Sequence, residues 1–351
     1  MTFANKTRFH RSVFALPLLA LLALSAGCGD EGGGTSSGSS GGSGGSGATG
    51  GAGGSGGGTG GSGGAGGSGG AAGSDAGGGS GIYGTFIVSI LDEPPPAYTK
   101  LLGQIYDGPQ PPLQVLKLDS EEQGCQLMVP KNPFCAGGCT GGVCIDENTC
   151  QIFPGTVNVG IATVSGFKGG DLMITPTDRG NVYQPTPTLP AHACDEGNEI
   201  TVKTDKFTLK GKCVSSLEVT AKSTDKIPVK TGMPVKLTWT PPGQANISRM
   251  EIHLDIAHHG GKKGEINCDV PDTGSFDIPA TLITKLVGLG LAGFPTIEMR
   301  RVHTSPATNE PQVKILLTSD VARDVDTGVV SCNDDTQCPP GQKCDRDLTC
   351  K

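Results

Sequence analysis

The side chains best equipped to bind a metal in this chain are its cysteines and histidines, and their spacing decides how far that chemistry can be taken. Cys332, Cys338, Cys344 and Cys350 follow one another with five residues between each pair, and an earlier cluster runs Cys135, Cys139, Cys144, Cys150. Structural zinc sites favour pairs about two to four residues apart. The even spacing of the later cluster therefore argues against zinc. Both clusters carry the form G-x-x-C-x-x-x-x-T-C, from Gly141 to Cys150 and from Gly341 to Cys350, which is an internal repeat. Each copy is too short to bury a core, so covalent bridges must replace one. His253, His258 and His259 form the histidine cluster, which would hold a metal only if all three converged with a carboxylate such as Asp255. Strand alternation turns His253 to solvent, and His258-His259-Gly260-Gly261 reads as a hairpin loop, so the three are candidate ligands and no metal site is expected.

In spacing, the cysteine clusters resemble the small disulfide knots of secreted proteins. Four cysteines allow three connectivities. First-to-third and second-to-fourth pairing is favoured here, giving Cys135–Cys144, Cys139–Cys150, Cys332–Cys344 and Cys338–Cys350. A further bridge, Cys194–Cys213, would cross strands near Ile200 and Phe207, leaving Cys125 and Cys268 as buried thiols or a link between domains. Asp272-Thr273-Gly274-Ser275 and Asp326-Thr327-Gly328 resemble the paired loops of pepsin-like aspartic proteases, whose two carboxylates share a proton around a water. The two copies lie too close in sequence for that family's homologous lobes. Pro271 also replaces the expected apolar residue, so ordinary turns are favoured. Asp146-Glu147-Asn148 and Asn333-Asp334-Asp335 could offer oxygens to calcium but lack alternating ligand spacing, and solvated turns are expected there too. No G-x-S-x-G elbow is present, and a serine–histidine–acid arrangement cannot be read without geometry.

The elements that must position these residues are mainly β. Short runs rich in β-formers at 85–91, 157–164, 172–175, 200–202, 207–209 and 217–219 are separated by Gly, Pro, Asn and Asp. They define a β domain at 82–222 with a cysteine-rich insertion at 125–150. A polar hinge, Ser223-Thr224-Asp225-Lys226, leads into a second unit at 223–330. There Val235, Leu237 and Trp239 alternate with Lys236, Thr238 and Thr240, and Ile252, Leu254 and Ile256 alternate with Glu251, His253 and Asp255. Such period-two patterns bury one face. Pro279 opens a short helix with Leu282, Ile283, Leu286 and Leu289 on one side. Strands near 297–302 and 313–317 complete a sandwich of immunoglobulin-like architecture, followed by the cysteine-rich module at 331–351. The expected fold is thus two β-sandwich-like domains with small disulfide-rich modules.

The N-terminal part supplies the address. Lys6, Arg8 and Arg11 precede an apolar run from Val13 to Ala26, the pattern of a secretory signal over 1–27. The run is shorter than the ~20 residues that span a bilayer. Ala26-Gly27-Cys28 resembles the lipobox of bacterial lipoproteins, in which the cysteine becomes the acylated N-terminus, although Ser25 stands where that family usually has Leu. The resemblance implies lipidation (palmitate included) at Cys28, and Gly29, in place of Asp, points to the outer membrane. From Cys28 to Gly81 the chain is a Gly/Ser-rich linker that holds roughly half of the 58 glycines, with nothing to bury, so disorder is expected. Such a coil spans roughly 40 Å.

Thirteen cysteines less Cys28 leave an even dozen, which suits an oxidising compartment. Removing the leader takes the formal charge of −7 three units lower, and no basic stripe is present, which excludes nucleic acid as a partner. Aromatics at 4% lower the expectation of a sugar-binding platform. The function these features support is a non-enzymatic, lipid-anchored cell-envelope protein. It would contact the membrane through its lipid and an undefined protein or glycan ligand through its β domains. No cofactor is implied. The competing expectation is a secreted hydrolase, metal-dependent or aspartic-type, with a site assembled from loops.

Overall fold

A computed structural model describes residues 81–351 except 94, 260, 262 and 306–311. The expected leader at 1–27, the lipidated Cys28 and nearly all of the linker at 28–81 lie outside the described residues. What is described is mainly β. The chain opens with β1 (Tyr83–Leu91), β2 (Tyr98–Tyr106), β3 (Leu116–Glu122) and β4 (Cys125–Pro130). A small ribbon, β5 (Gly142–Cys144) with β6 (Cys150–Ile152), carries the first cysteine module. Four short strands follow: β7 (Ala162–Ser165), β8 (Leu172–Ile174), β9 (Glu199–Lys203) and β10 (Thr208–Lys212). After them come β11 (Ile227–Pro228), β12 (Val235–Thr238), β13 (Arg249–Asp255), β14 (Glu265–Pro271) and β15 (Ser275–Ile278). Helix α1 (Ala280–Gly288), β16 (Thr296–Thr304) and β17 (Gln312–Asp326) lead to the second cysteine module.

One large sheet organises everything else. Its order is β2-β1-β17-β16-β13-β14-β4-β3, with β11 paired to the end of β17. The β1–β17 and β11–β17 pairs are parallel and the others antiparallel. Over one half of the sheet lies a second sheet, β10-β9-β7-β8, and the shared core holds Phe86, Leu101, Ile105, Tyr183, Ile200, Ile315 and Leu317. Over the other half lie the two-stranded antiparallel pair β12–β15 and α1, enclosing Leu237, Trp239, Met250, Ile252, Leu254, Leu282, Ile283 and Leu286. The fifteen-residue β17 runs under both, giving Val313, Ile315 and Leu317 to the first core and Val321 and Val325 to the second.

This arrangement gives two sandwich-like layers on one shared sheet. The hinge expected at 223–226 does not separate two sheets. Strands β3 and β4 precede it in sequence yet sit beside β14, and β17 follows it yet pairs with β1. Local patterning places residues on faces but carries no information about which distant strand lies alongside. Helix α1 spans the expected segment and buries Leu282, Ile283 and Leu286, whereas Leu289 lies past its end and is partly exposed. Of the run at 217–219, only Val219 makes a β-bridge, to Trp239.

Tight packing is visible at Gly103, directly opposite Phe86 in the β1–β2 register. A Cβ there would collide with the Phe86 ring, which occupies the space that a side chain would need. Gly103→Ala should therefore cost about 1–3 kcal/mol from overpacking, measured as a lower urea midpoint with an unchanged slope. A loss below about 0.5 kcal/mol would show that the ring moves aside freely.

Candidate functional site

Three side chains far apart in sequence meet at the seam between the two cores. Ser216 Oγ lies 3.0 Å from His192 Nδ1, and His192 Nε2 lies 3.2 Å from Asp92 Oδ1. They line a groove of about 700 Å³ together with Glu93, Leu217, Glu218, Val219, Lys222, Arg323 and neighbouring residues. A carboxylate beside Nε2 favours the tautomer with the proton there, leaving the Nδ1 lone pair to accept from the Ser216 hydroxyl. Hydroxyl, imidazole and carboxylate in this order are the parts from which a nucleophile is activated by general base.

Each member is held by something buried. The inward-facing row that crosses the sheet reads Thr99, Ile90, Ser319, Arg301 and Met250 on β2, β1, β17, β16 and β13. Three of these five are polar, and all three are essentially inaccessible to solvent. Polar groups so deep must find partners, and two loops supply them. Thr99 Oγ1 accepts from Ala193 N at 3.1 Å, fixing the residue after His192. Ser319 Oγ accepts from Leu217 N at 2.9 Å, fixing the residue after Ser216. Arg301 donates through Nη1 to Ser216 O at 2.7 Å and to Ser215 Oγ at 3.0 Å. The Cys194–Cys213 disulfide ties the two loops to each other within a few residues of His192 and Ser216. Asp92 directly follows β1 and precedes Glu93, which Arg323 grips through both terminal nitrogens at 2.7 and 3.2 Å. His192 has φ of +50°, a left-handed conformation that costs a residue with a Cβ about 1–3 kcal/mol and persists only where its surroundings enforce it.

The twelve described cysteines are all engaged in disulfides. Cys135 bonds Cys144, Cys139 bonds Cys150, Cys332 bonds Cys344 and Cys338 bonds Cys350, the same order in both modules. Cys125 and Cys268 face each other across β4 and β14 and form a sixth bridge, which ties the β3–β4 hairpin to the second core. Among the described residues, the groups with three converging metal-ligand atoms are Cys135, Cys139, Cys144 and Cys332, Cys338, Cys350, all already in disulfides. The histidines are not among them. His253 Nδ1 lies 2.7 Å from Asn267 Oδ1, while the His258 ring packs at a tilt against His259, with its Nδ1 3.9 Å from Asp255. Burial, then the neighbouring His259, lowers the His258 pKa against the opposing pull of Asp255.

The two D-T-G sequences have separate structural roles. The Asp272 side chain is buried and accepts from Arg301 Nε at 2.7 Å and Nη2 at 3.4 Å, Trp239 Nε1 at 2.7 Å and Ser248 Oγ at 2.6 Å. A carboxylate so occupied has no lone pair to spare for a shared proton with a second acid. The turn it begins needs Gly274, at φ +94°, between β14 and β15. Asp326 is exposed and accepts from Gly328 N at 3.0 Å, closing a local turn. The acidic stretches considered for calcium behave in the same way. Asp146 accepts from Asn148 N, and Asp334 and Asp335 accept from Thr336 N and Cys344 N. Hydrogen bonds from the following residues lower the Asp146 and Asp334 pKa.

Sequence reasoning missed Asp92, His192 and Ser216. A signal was nonetheless present. On β16 and β17 the inward alternation Ile297, Met299 and Ile315, Leu317 is interrupted by Arg301 and Ser319, and an interrupted apolar face marks a buried polar contact. No protein-family model matches this chain, and no curated protein does so significantly. The fold and site define a disulfide-rich, mainly β protein with a polar seam beneath an open groove.

Proposed function

We propose that this protein is an exported, lipid-anchored component of the bacterial cell envelope, whose disulfide-locked β body is displayed on a Gly/Ser tether to bind ligands or to serve a structural role there. The single observation that carries the reading is the cysteine balance. All twelve cysteines after Cys28 lie in six disulfides, leaving Cys28 as the odd one, beside the lipobox-like Ala26-Gly27. Disulfides in such number persist in oxidising compartments, where glutathione and thioredoxin do not reduce them. A cysteine carrying three acyl chains anchors a protein stably, where one chain holds only marginally. The described helix is too short to cross a membrane, so the lipid would supply the attachment.

Intact mass spectrometry of the protein purified from its membrane fraction tests this directly. The expected result is a chain that begins at Cys28 and carries acyl mass, gaining two hydrogens per bridge for six bridges on reduction. A chain retaining residues 1–27, or one with free thiols before reduction, would overturn the proposal. Cys28→Ser should release the body into the soluble fraction without altering its urea midpoint.

A further inference from the structure

We propose that Ser216 is a nucleophile activated by His192 and positioned by Asp92, and that the groove around it accepts small carboxylic esters. The inference goes beyond envelope display and does not depend on it.

Three independent constraints converge on one hydroxyl. The imidazole accepts at Nδ1 and is backed by a carboxylate at Nε2. The buried Arg301 and Ser319 hold both ends of the peptide group that follows Ser216, its carbonyl and the N–H of Leu217, so the hydroxyl is presented from a fixed backbone. His192 is held in a left-handed conformation beside the Cys194–Cys213 bridge. A solvent-exposed hydrogen bond of no consequence needs none of these. Preorganisation of this kind is what a nucleophile requires.

The step balances without a cofactor. Ser216 Oγ attacks the ester carbonyl carbon as its proton passes to His192 Nδ1, and the carbonyl oxygen becomes an oxyanion. The C–O bond to the leaving alcohol then breaks, and His192 returns the proton to the departing oxygen. Water attacks the resulting acyl-serine by the same proton route and restores the serine. Asp92 stabilises the transient imidazolium without itself taking the proton. Lys222 and Arg323 line the groove together with Glu93 and Glu218, and Arg323 is already paired with Glu93, which makes Lys222 the lining cation for the oxyanion. Val219 and Val321 offer an apolar wall that suits a short acyl chain, and the openness of the groove leaves the alcohol side unconfined.

The test treats the full-length oxidised protein with a fluorophosphonate. Here the Ser216 O–P bond forms, fluoride leaves and His192 takes the proton, and the adduct is mapped by peptide mass. Hydrolysis of p-nitrophenyl acetate is followed in parallel. The expected result is an adduct on the peptide carrying Ser216. Ser216→Ala should abolish it. His192→Gln should slow labelling and ester turnover by roughly 100-fold or more, and Asp92→Asn by at least about tenfold. Ser120→Ala, on the distant β3, should match the parent protein. Absence of free thiols and unchanged far-UV circular dichroism show that each variant is folded. No adduct at Ser216, an adduct on another serine instead, or labelling that persists undiminished in folded His192→Gln overturns the proposal. Acylation without lipid at Cys28 would leave this proposal standing and sink the envelope assignment alone.

Discussion

Replacing Cys125 and Cys268 together by alanine should lower the stability of the oxidised protein by about 5 kcal/mol, the largest effect of any single bridge. The bond joins residues 143 apart, whereas the other five span separations of 9 to 19. On the chain-entropy scale a loop of that size removes about 5 kcal/mol from the unfolded state, against roughly 3 kcal/mol for the short ones. Structure adds to entropy here. Both cysteines are buried in the second core, and the bridge joins β4 to β14 at a register position where the β3–β4 hairpin meets strands that follow it by well over a hundred residues. Losing it should also raise amide exchange in β3 and β4 before the rest of the sheet opens. Urea unfolding of parent and double variant measures the first effect. A loss below about 2 kcal/mol would show that the β4–β14 pairing holds its register unaided.

The second large effect is expected at Arg301. Arg301→Met leaves the Asp272 carboxylate buried with Trp239 and Ser248 as donors but no cation, and leaves Ser216 O without its Nη1 partner. Breaking a buried pair from one side costs about 3–5 kcal/mol, because the remaining charge is stranded in a medium that solvates it poorly. Adding Asp272→Asn should return at least about 1 kcal/mol, since the amide oxygen can still accept from the indole, the amide NH2 can donate to the Ser248 hydroxyl oxygen, and the uncompensated charge is gone. A double-mutant cycle reads the coupling between the two residues. If Arg301→Met costs less than about 1 kcal/mol, Arg301 does not anchor the seam. The same variant, kept in conditions where it stays folded, should also lose fluorophosphonate labelling at Ser216, because the loop bearing the hydroxyl is released.

These two predictions mark the boundary between what can be read along the chain and what cannot. The alternation Val235, Leu237, Trp239 and Ile252, Leu254, Ile256 lies on the buried face in the structure, and Pro279 does open a helix. These are local properties, set by the period of a strand or the turn of a helix within a few residues. The cysteine modules are local in the same sense. Their partners lie 9 to 12 residues apart, and a short loop brings such thiols together at little entropic cost.

The amino-acid sequence by itself therefore determined the β character, the helix, the knots and the expectation of an exported, tethered chain. Tertiary structure alone decided that β3 and β4 join the second core, that Cys125 meets Cys268, and that Asp92, His192 and Ser216 share one groove. The reason is register. Thr99, Ser319 and Arg301 are unremarkable polar residues on three separate strands until the β2-β1-β17-β16 pairing aligns them in one buried row. Only then do their unmet hydrogen bonds reach up to order the loops that carry the site.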